Sequence, residues 1–189
     1  MDKDVPAGDG PLYDQALELK KSGRLYVQAL KDGYRASAVA VSINEKVGRE
    51  NGVLYKYYSG TWEKLPDLPA MKAQKKGRIS RFELEEIPTA EANFALLMIG
   101  AVRIKKAGNY ILYCGSNDGS QLFIDNQLLI DNDGYHGYIE KSGNIFLQTG
   151  IHLLEVRYFQ MGGGRDLKVF WEGEDFGRNA LTAEDLAVF

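Results

Sequence analysis

The alternation of apolar and polar positions predicts short strands separated by turns along most of the chain. In "GRLYVQALKDGYRASAVAVSIN", Leu25, Val27 and Ala29 share one face of a period-two run, and Val39, Val41 and Ile43 share one face of the next. The Asp-Gly pair in "KDGY", Lys31 to Tyr34, predicts a hairpin between them, because glycine reaches the positive φ that a tight connection needs. "GIHLLEVRYFQ", Gly150 to Gln160, sends Leu154, Val156 and Tyr158 one way and Glu155 and Arg157 the other, the pattern of a half-exposed antiparallel strand. "DLKVFWEG" groups Leu167, Val169 and Trp171, and "GNYILYC" groups Tyr110, Leu112 and Cys114. "ANFALLMIGAVRI", Ala92 to Ile104, predicts a long buried strand or two joined at Gly100, with helix as the rival over Ala92 to Ile99 on propensity alone. "KAQKKGR", Lys72 to Arg78, reads as a solvated loop, and "LTAEDLAVF" as a helical turn capped by Thr182. Short strands at regular spacing predict an all-β fold, an antiparallel sandwich or barrel.

Three or four strands before about residue 47 cannot close a sandwich by themselves. Residues 1–47 are therefore expected to be a partial β segment. The polar connector "NEKVGRENG", Asn44 to Gly52, ends it, and the aromatic-rich "VLYKYYSGTWEKLPDLP" opens a second domain over residues 48–189.

Composition narrows the function. The hydrophobic share of 44% and charged share of 26% are those of an ordinary globular protein, and 21 glycines suit a fold with many tight turns. A net charge of -3 without a basic stripe excludes nucleic acid as an expected partner. The single cysteine, Cys114, rules out an internal disulfide and sits in an apolar pattern, as a buried structural thiol does. The chain has no apolar run of the roughly 18 residues that a membrane helix needs, and "MDKDVPAGDG" lacks the layout of a signal peptide.

The candidate chemistry lies in "CGSNDGSQLFIDNQLLIDNDGYHG", Cys114 to Gly137. Two oxygen clusters, Asn117 with Asp118 and Asp131 with Asp133, flank a hairpin whose connection is Asp125-Asn126. Such a hairpin returns the chain to its starting edge, so both clusters are expected at one end of the sheet, where oxygens suit a hard cation. The competing reading is that "SNDGS" is a plain turn. An EF-hand fails on register: with Asp131 first, His136 stands where glycine is needed and Ser142 where a bidentate glutamate is needed. "MGGGRD" precedes a strand, so it lacks the helix N-terminus of a phosphate loop. Neither His136 nor His152 has a nucleophile in a recognisable elbow, and no catalytic residue is expected.

These residues carry a family resemblance. "LYKYYSGTWEKLPDL", "NFALLMIGAVRIKKAGNYILYCGSNDGSQLFIDNQLLIDNDGYHG" and "GIHLLEVRYFQMGGGRDLKVFWEG" resemble a PA14 domain, the β-sandwich module of yeast adhesins and many bacterial glycosidases. Sugar-binding members use two consecutive aspartates joined by a cis peptide to chelate calcium, which in turn holds sugar hydroxyls. The matching positions here are Asn117 and Asp118, so the first departs from the pattern by losing a charge. The resemblance implies calcium as cofactor, a glycan as partner, and further ligands from the loop containing Gln160 and Gly163; the second oxygen cluster and its loop add Asp131, Asp133, Tyr135 and His136 as candidate ligand contacts. Tyr135 is a candidate for stacking on a pyranose ring; for Trp62, loop or core packing competes with that role. The front segment, Gly8 to Asn44, resembles the second half of the Ig-like chitobiase C-terminal module. That likeness implies an excerpt from a larger secreted, periplasmic or cell-surface glycoside hydrolase, such as a β-N-acetylhexosaminidase, whose catalytic domain is a further partner. The competing function is a structural spacer that binds no free sugar. A sugar site requires Asp118 to face an open rim.

Overall fold

The computed structural model describes the backbone of residues 23–29 and 37–43 and the whole of residues 52–187. The chain divides into two compact units, Met1–Gly48 and Arg49–Phe189. In the first, β1 (Gly23–Ala29) pairs antiparallel with β2 (Ser37–Ile43). Leu25 lies opposite Val41 and Val27 opposite Val39, so the two apolar alternations fall in one register. The "KDGY" connection lies outside the described residues.

The second unit stacks two antiparallel sheets. The six-stranded sheet has the order β4 (Lys75–Ile79), β3 (Val53–Ser59), β5 (Phe94–Ile104), β10 (Gly150–Gln160), β7 (Ser120–Ile124), β8 (Gln127–Asn132). The four-stranded sheet has the order β12 (Phe176–Ala180), β11 (Asp166–Gly173), β6 (Gly108–Asn117), β9 (Ile139–Leu147). Leu96, Met98, Leu122, Leu154, Val156 and Tyr158 face Leu112, Cys114, Leu167, Val169 and Trp171 across a buried core. Fully burying each large apolar side chain is worth about 1.5–3 kcal/mol, which is what fixes the register of these strands.

β5 runs unbroken through Gly100, and its apolar texture has a physical cause. Its second face is also covered: Tyr58, Leu68, Ala95, Leu97 and Phe159 form a smaller core outside the sheet, with Trp62, Leu65 and Met161 packed against it. A strand buried on both faces loses its alternation, which is why helix competed there. β10 is likewise a central strand rather than a half-exposed one. On its outer face Glu155 and Arg157 pair at 2.6 Å, with side chains only 15% and 22% exposed.

Two other expectations are corrected. Lys75–Ile79 is an edge strand, not a loop, because the backbone of β3 pairs with it along its length; its lysines stay in water, as edge lysines do. In "LTAEDLAVF" Thr182–Asp185 form one turn, with Asp185 Oδ2 accepting the Thr182 N–H and O–H, and Leu186 then bridges to Val102 instead of continuing a helix. β3 pairs with β5 only as far as Ile99, and Asp185–Ala187 occupy the free edge beyond it. There Arg103 N–H donates to the Asp185 carbonyl and Ala187 N–H to the Ala101 carbonyl.

Three connections cross from one sheet to the other at the same rim. β6 passes to β7 through Asn117–Ser120, β10 to β11 through residues 161–165, and β8 to β9 through residues 133–138. Register places Asn117 opposite Asp166 and Ser120 opposite Tyr158, which sets the first two crossings side by side.

Candidate functional site

The rim formed by the three crossings is where the candidate residues lie. The Asn117–Asp118 peptide bond is cis. Asp118 is 1% exposed, and its Oδ2 accepts the N–H of Met161 at 2.8 Å and of Gly162 at 3.4 Å. The carboxylate therefore faces the glycine loop and fastens it to the first crossing. Its Oδ1 accepts no hydrogen bond among the described residues.

Gln160 is equally buried and braces the same loop from within. Its Nε2 donates to the Gly162 and Gly164 carbonyls, each at 3.0 Å. The Tyr158 hydroxyl lies 2.5 Å from both the Asn117 carbonyl oxygen and Gln160 Oε1, so its single proton serves one of them at a time. Burial first, and then the nearby Asp118 charge, push the Tyr158 pKa up, keeping it a neutral donor. Arg165 leaves the loop toward the β4–β5 connection, donating to Thr89 Oγ1 at 2.9 Å. Above this frame the loop is open: a Cβ placed on Gly162 or Gly163 would meet nothing within 4 Å, and Gly163 has φ +82°. Gln160 is thus a support, while Gly163 is at the surface.

The third crossing folds against the first. A Cβ on Gly119 would come within 2.7 Å of Gly134 N and 2.8 Å of its carbonyl oxygen. Asn132, 1% exposed, anchors this loop by donating to Ser116 Oγ at 3.2 Å and to the Ile139 carbonyl at 3.0 Å. Ser116 Oγ in turn lies 2.7 Å from Ser120 Oγ, and Cys114 Sγ lies 3.3 Å from the same oxygen. Burial raises the Cys114 thiol to about 11, so it stays an inert member of this buried polar chain. His136 bridges the loop ends, with Nδ1 at 2.7 Å from the Gly137 carbonyl oxygen and Nε2 at 2.9 Å from that of Asn132.

The two oxygen clusters share the rim, but their side chains do not meet. Asp131 lies on the outer face, where Oδ1 accepts from Asp133 N–H at 3.1 Å and Gln121 Nε2 at 3.3 Å. Asp133 Oδ1 accepts the N–H of Gly134 and, at 2.8 Å, that of Leu65, tying the rim to the outer loop. Among the described residues no three His, Cys, Asp or Glu side chains gather to hold a metal. Asn117 and Asp118 stand with the glycine loop; Asp131 and Asp133 serve turns. The Asp125-Asn126 connection has φ of 49° and 67°, as a two-residue hairpin turn requires.

Of the aromatics, Tyr135 is 62% exposed at the tip of the third crossing. Trp62 packs over Gly60 and into the outer core. Sequence reasoning missed Tyr138, 45% exposed, whose hydroxyl lies over Gly115. It also missed Asn132, although that residue stands two positions after Ile130 on the inward face, where a polar side chain signals a buried bond.

The sequence matches the PA14 domain family over residues 49–184. No curated protein matches the chain. Among solved structures, an "anti-sigma factor domain-containing protein" is 19% identical with a TM-score of 0.62, over 82% of this chain and 60% of that one. The chain thus spans about 60% of that relative's length. The PA14 sugar-binding domain from an RTX adhesin is 15% identical with a TM-score of 0.60, over 74% of this chain and 99% of that one. The epithelial adhesin 9 A domain of Candida glabrata, in complex with Galβ1-3GlcNAc, is 11% identical with a TM-score of 0.53, over 73% and 88%. At these identities the structures support the fold, and the match over residues 49–184 carries the assignment: the chain belongs to the PA14 family.

Proposed function

We propose that the chain is a non-catalytic carbohydrate-binding module that engages glycans at the three-crossing rim. The observation that carries this reading is an open glycine surface at Gly162–Gly163 over the buried Asp118 and Gln160, with Tyr135 exposed on the third crossing of the same rim. Pre-formed frames of this kind spare a ligand the cost of ordering the loops. A pyranose presents a C–H face to the Tyr135 ring and hydroxyls to the loop backbone. Linked to a catalytic domain, a weak site of this kind raises local substrate concentration without new chemistry. The front segment's likeness supports a secreted glycoside hydrolase as the parent and an extracellular, periplasmic or cell-surface location. No helix among the described residues is long and apolar enough to cross a membrane.

The donor chemistry fits calcium in part: Asp118 Oδ1 is without a hydrogen bond among the described residues, and Asn117 sets its side-chain amide against Gly164, with Nδ2 the nearer atom, while the Gly162 and Gly164 carbonyls accept from Gln160 Nε2. Asn117 and Asp118 are the residues that would hold it. The ion would supply a Lewis-acidic centre for sugar hydroxyls, and one carboxylate makes the site weak. Calorimetric titration with calcium and a glycan panel tests the proposal. Asn117→Asp is expected to raise calcium affinity by about tenfold or more, since ligand charge sets affinity at such sites. Asp118→Asn keeps an acceptor for the loop but removes the charge, and is expected to abolish calcium-dependent retention of sugar. Absence of heat for every glycan, with and without calcium, overturns the proposal.

The second reading, a structural spacer, is favoured by two observations: Asp118 is 1% exposed rather than open at the rim, and its Oδ2 is already used within the molecule, as the anchor of the glycine loop.

A further inference from the structure

A cavity of about 530 Å3 opens at the opposite end of the strands, where β5 turns into β6 and β11 into β12. That volume is ordinary for a small-molecule site. Its floor is aromatic: Tyr110 stacks on Trp171 with ring centroids 5.8 Å apart, and Phe176 tilts against Trp171 at 4.8 Å. The Tyr110 hydroxyl donates to the Lys106 carbonyl at 2.8 Å, fixing the turn that carries Lys105 against the floor.

The charges around the mouth do not cancel. Lys106 and Asp175 pair with each other at 2.8 Å. The Asp185 carboxylate accepts the Thr182 N–H and O–H and keeps its charge at the mouth. Arg103 and Lys105, both exposed and both lining the cavity, have no acidic partner among the described residues. Three lining cations against two lining carboxylates leave one net positive charge beside the aromatic floor, with Arg103 and Lys105 outside any ion pair among the described residues.

We infer that this cavity is a second ligand site, for an anionic saccharide unit: a pyranose carrying a carboxylate or sulfate. The ring's C–H face lies on the aromatic floor, and the anion lies between Arg103 and Lys105, where the guanidinium fork suits two oxygens at once. That the ring is a sugar rests on the carbohydrate-binding reading above; the anion preference rests on the charges here alone.

The chain has two tryptophans, Trp62 in the outer core and Trp171 in this floor, so two indole N–H signals report the two regions separately. The test titrates the full chain with methyl glucuronide and with methyl glucoside sulfated at O6, against neutral methyl glucoside, following both signals by NMR. The expected result is a saturable Trp171 shift, with either anionic probe binding about tenfold more tightly than the neutral one. That preference disappears in an Arg103→Gln/Lys105→Gln variant, whose exposed positions leave the fold intact, and persists in Asp118→Asn. A Trp171 signal unmoved by all probes, or moved equally by charged and neutral glycosides, or a preference that survives the double substitution, overturns the inference. If neutral glycans still bind at the rim in any of these cases, the carbohydrate-binding reading stands without the second site. If no glycan binds anywhere, both fall.

Discussion

Asp118 is the residue on which the rim turns. One of its oxygens holds the glycine loop and the other has no hydrogen bond among the described residues, so substitution separates a structural role from a binding one. Removing the carboxylate in Asp118→Ala leaves the Met161 N–H without its acceptor in a part-buried site, which costs about 1–3 kcal/mol. Asp118→Asn retains an acceptor and is expected to cost less than half as much. Urea denaturation of the two variants beside the parent checks this; equal stability of Asp118→Ala and the parent contradicts the anchoring role. The sequence marked Asn117-Asp118 because oxygen side chains stood between two strands. It could not show which backbone N–H groups the carboxylate would meet, since Met161 and Gly162 arrive from more than forty positions away in sequence.

At the scale of elements, the β7–β8 turn is pinned to the start of β10 through His152. Its Nδ1 lies 2.6 Å from Asp125 Oδ2 and its Nε2 lies 2.8 Å from the Gln148 carbonyl oxygen, while Leu153 N–H donates to Asp125 Oδ1. Both ring nitrogens face acceptors, an arrangement that only the protonated imidazole satisfies. Burial alone would lower the His152 pKa, but the hydrogen bonds to Asp125 and to the Gln148 carbonyl outweigh it and hold the value above the ordinary one. Because the folded pKa is the higher of the two, the latch contributes fully below the unfolded value of about 6.5 and fades as pH rises through the folded value. The difference in melting temperature between the parent and His152→Gln is therefore expected to be largest near pH 5.5 and to shrink above neutrality. A difference that stays flat or grows with pH rules the latch out.

The contact of two crossings at Gly119 belongs to the same scale. Gly119→Ala drives a methyl group into the backbone of Gly134 and the ring of Phe159, at 2.5 Å for the latter. A loss of about 1–3 kcal/mol is expected, read by chemical denaturation. An unchanged midpoint shows that the two crossings are not in contact.

Over the whole molecule, what was legible in the sequence divides along a physical line. Strands buried on one face declared themselves: β6 and β11 alternate because Leu112 and Val169 must reach one core. Edge strands did not. β9, "IEKSGNIFL", buries only Leu147 fully, and β12, "FGRNA", buries none of its residues fully, so their places are set by backbone pairing with β6 and β11. The lysines of β4 concealed a strand for the same reason. The rim itself was half legible: the exposed Tyr135 could be read locally, as could the Asp125-Asn126 turn at the far end of the hairpin, whereas the division of Asp118, Asp131 and Asp133 among separate backbone donors depends on tertiary neighbours.

The central claim is that glycans are met at the rim of three crossings. Its most direct test is a backbone amide chemical-shift map of the full chain as glycans are added, with calcium and with a chelator. The account predicts saturable shifts concentrated at Gly134–Gly137 and Gly162–Gly164, beside Asn117 and Asp118. Shifts at neither segment for any glycan, or shifts confined to the outer core around Trp62, would contradict it.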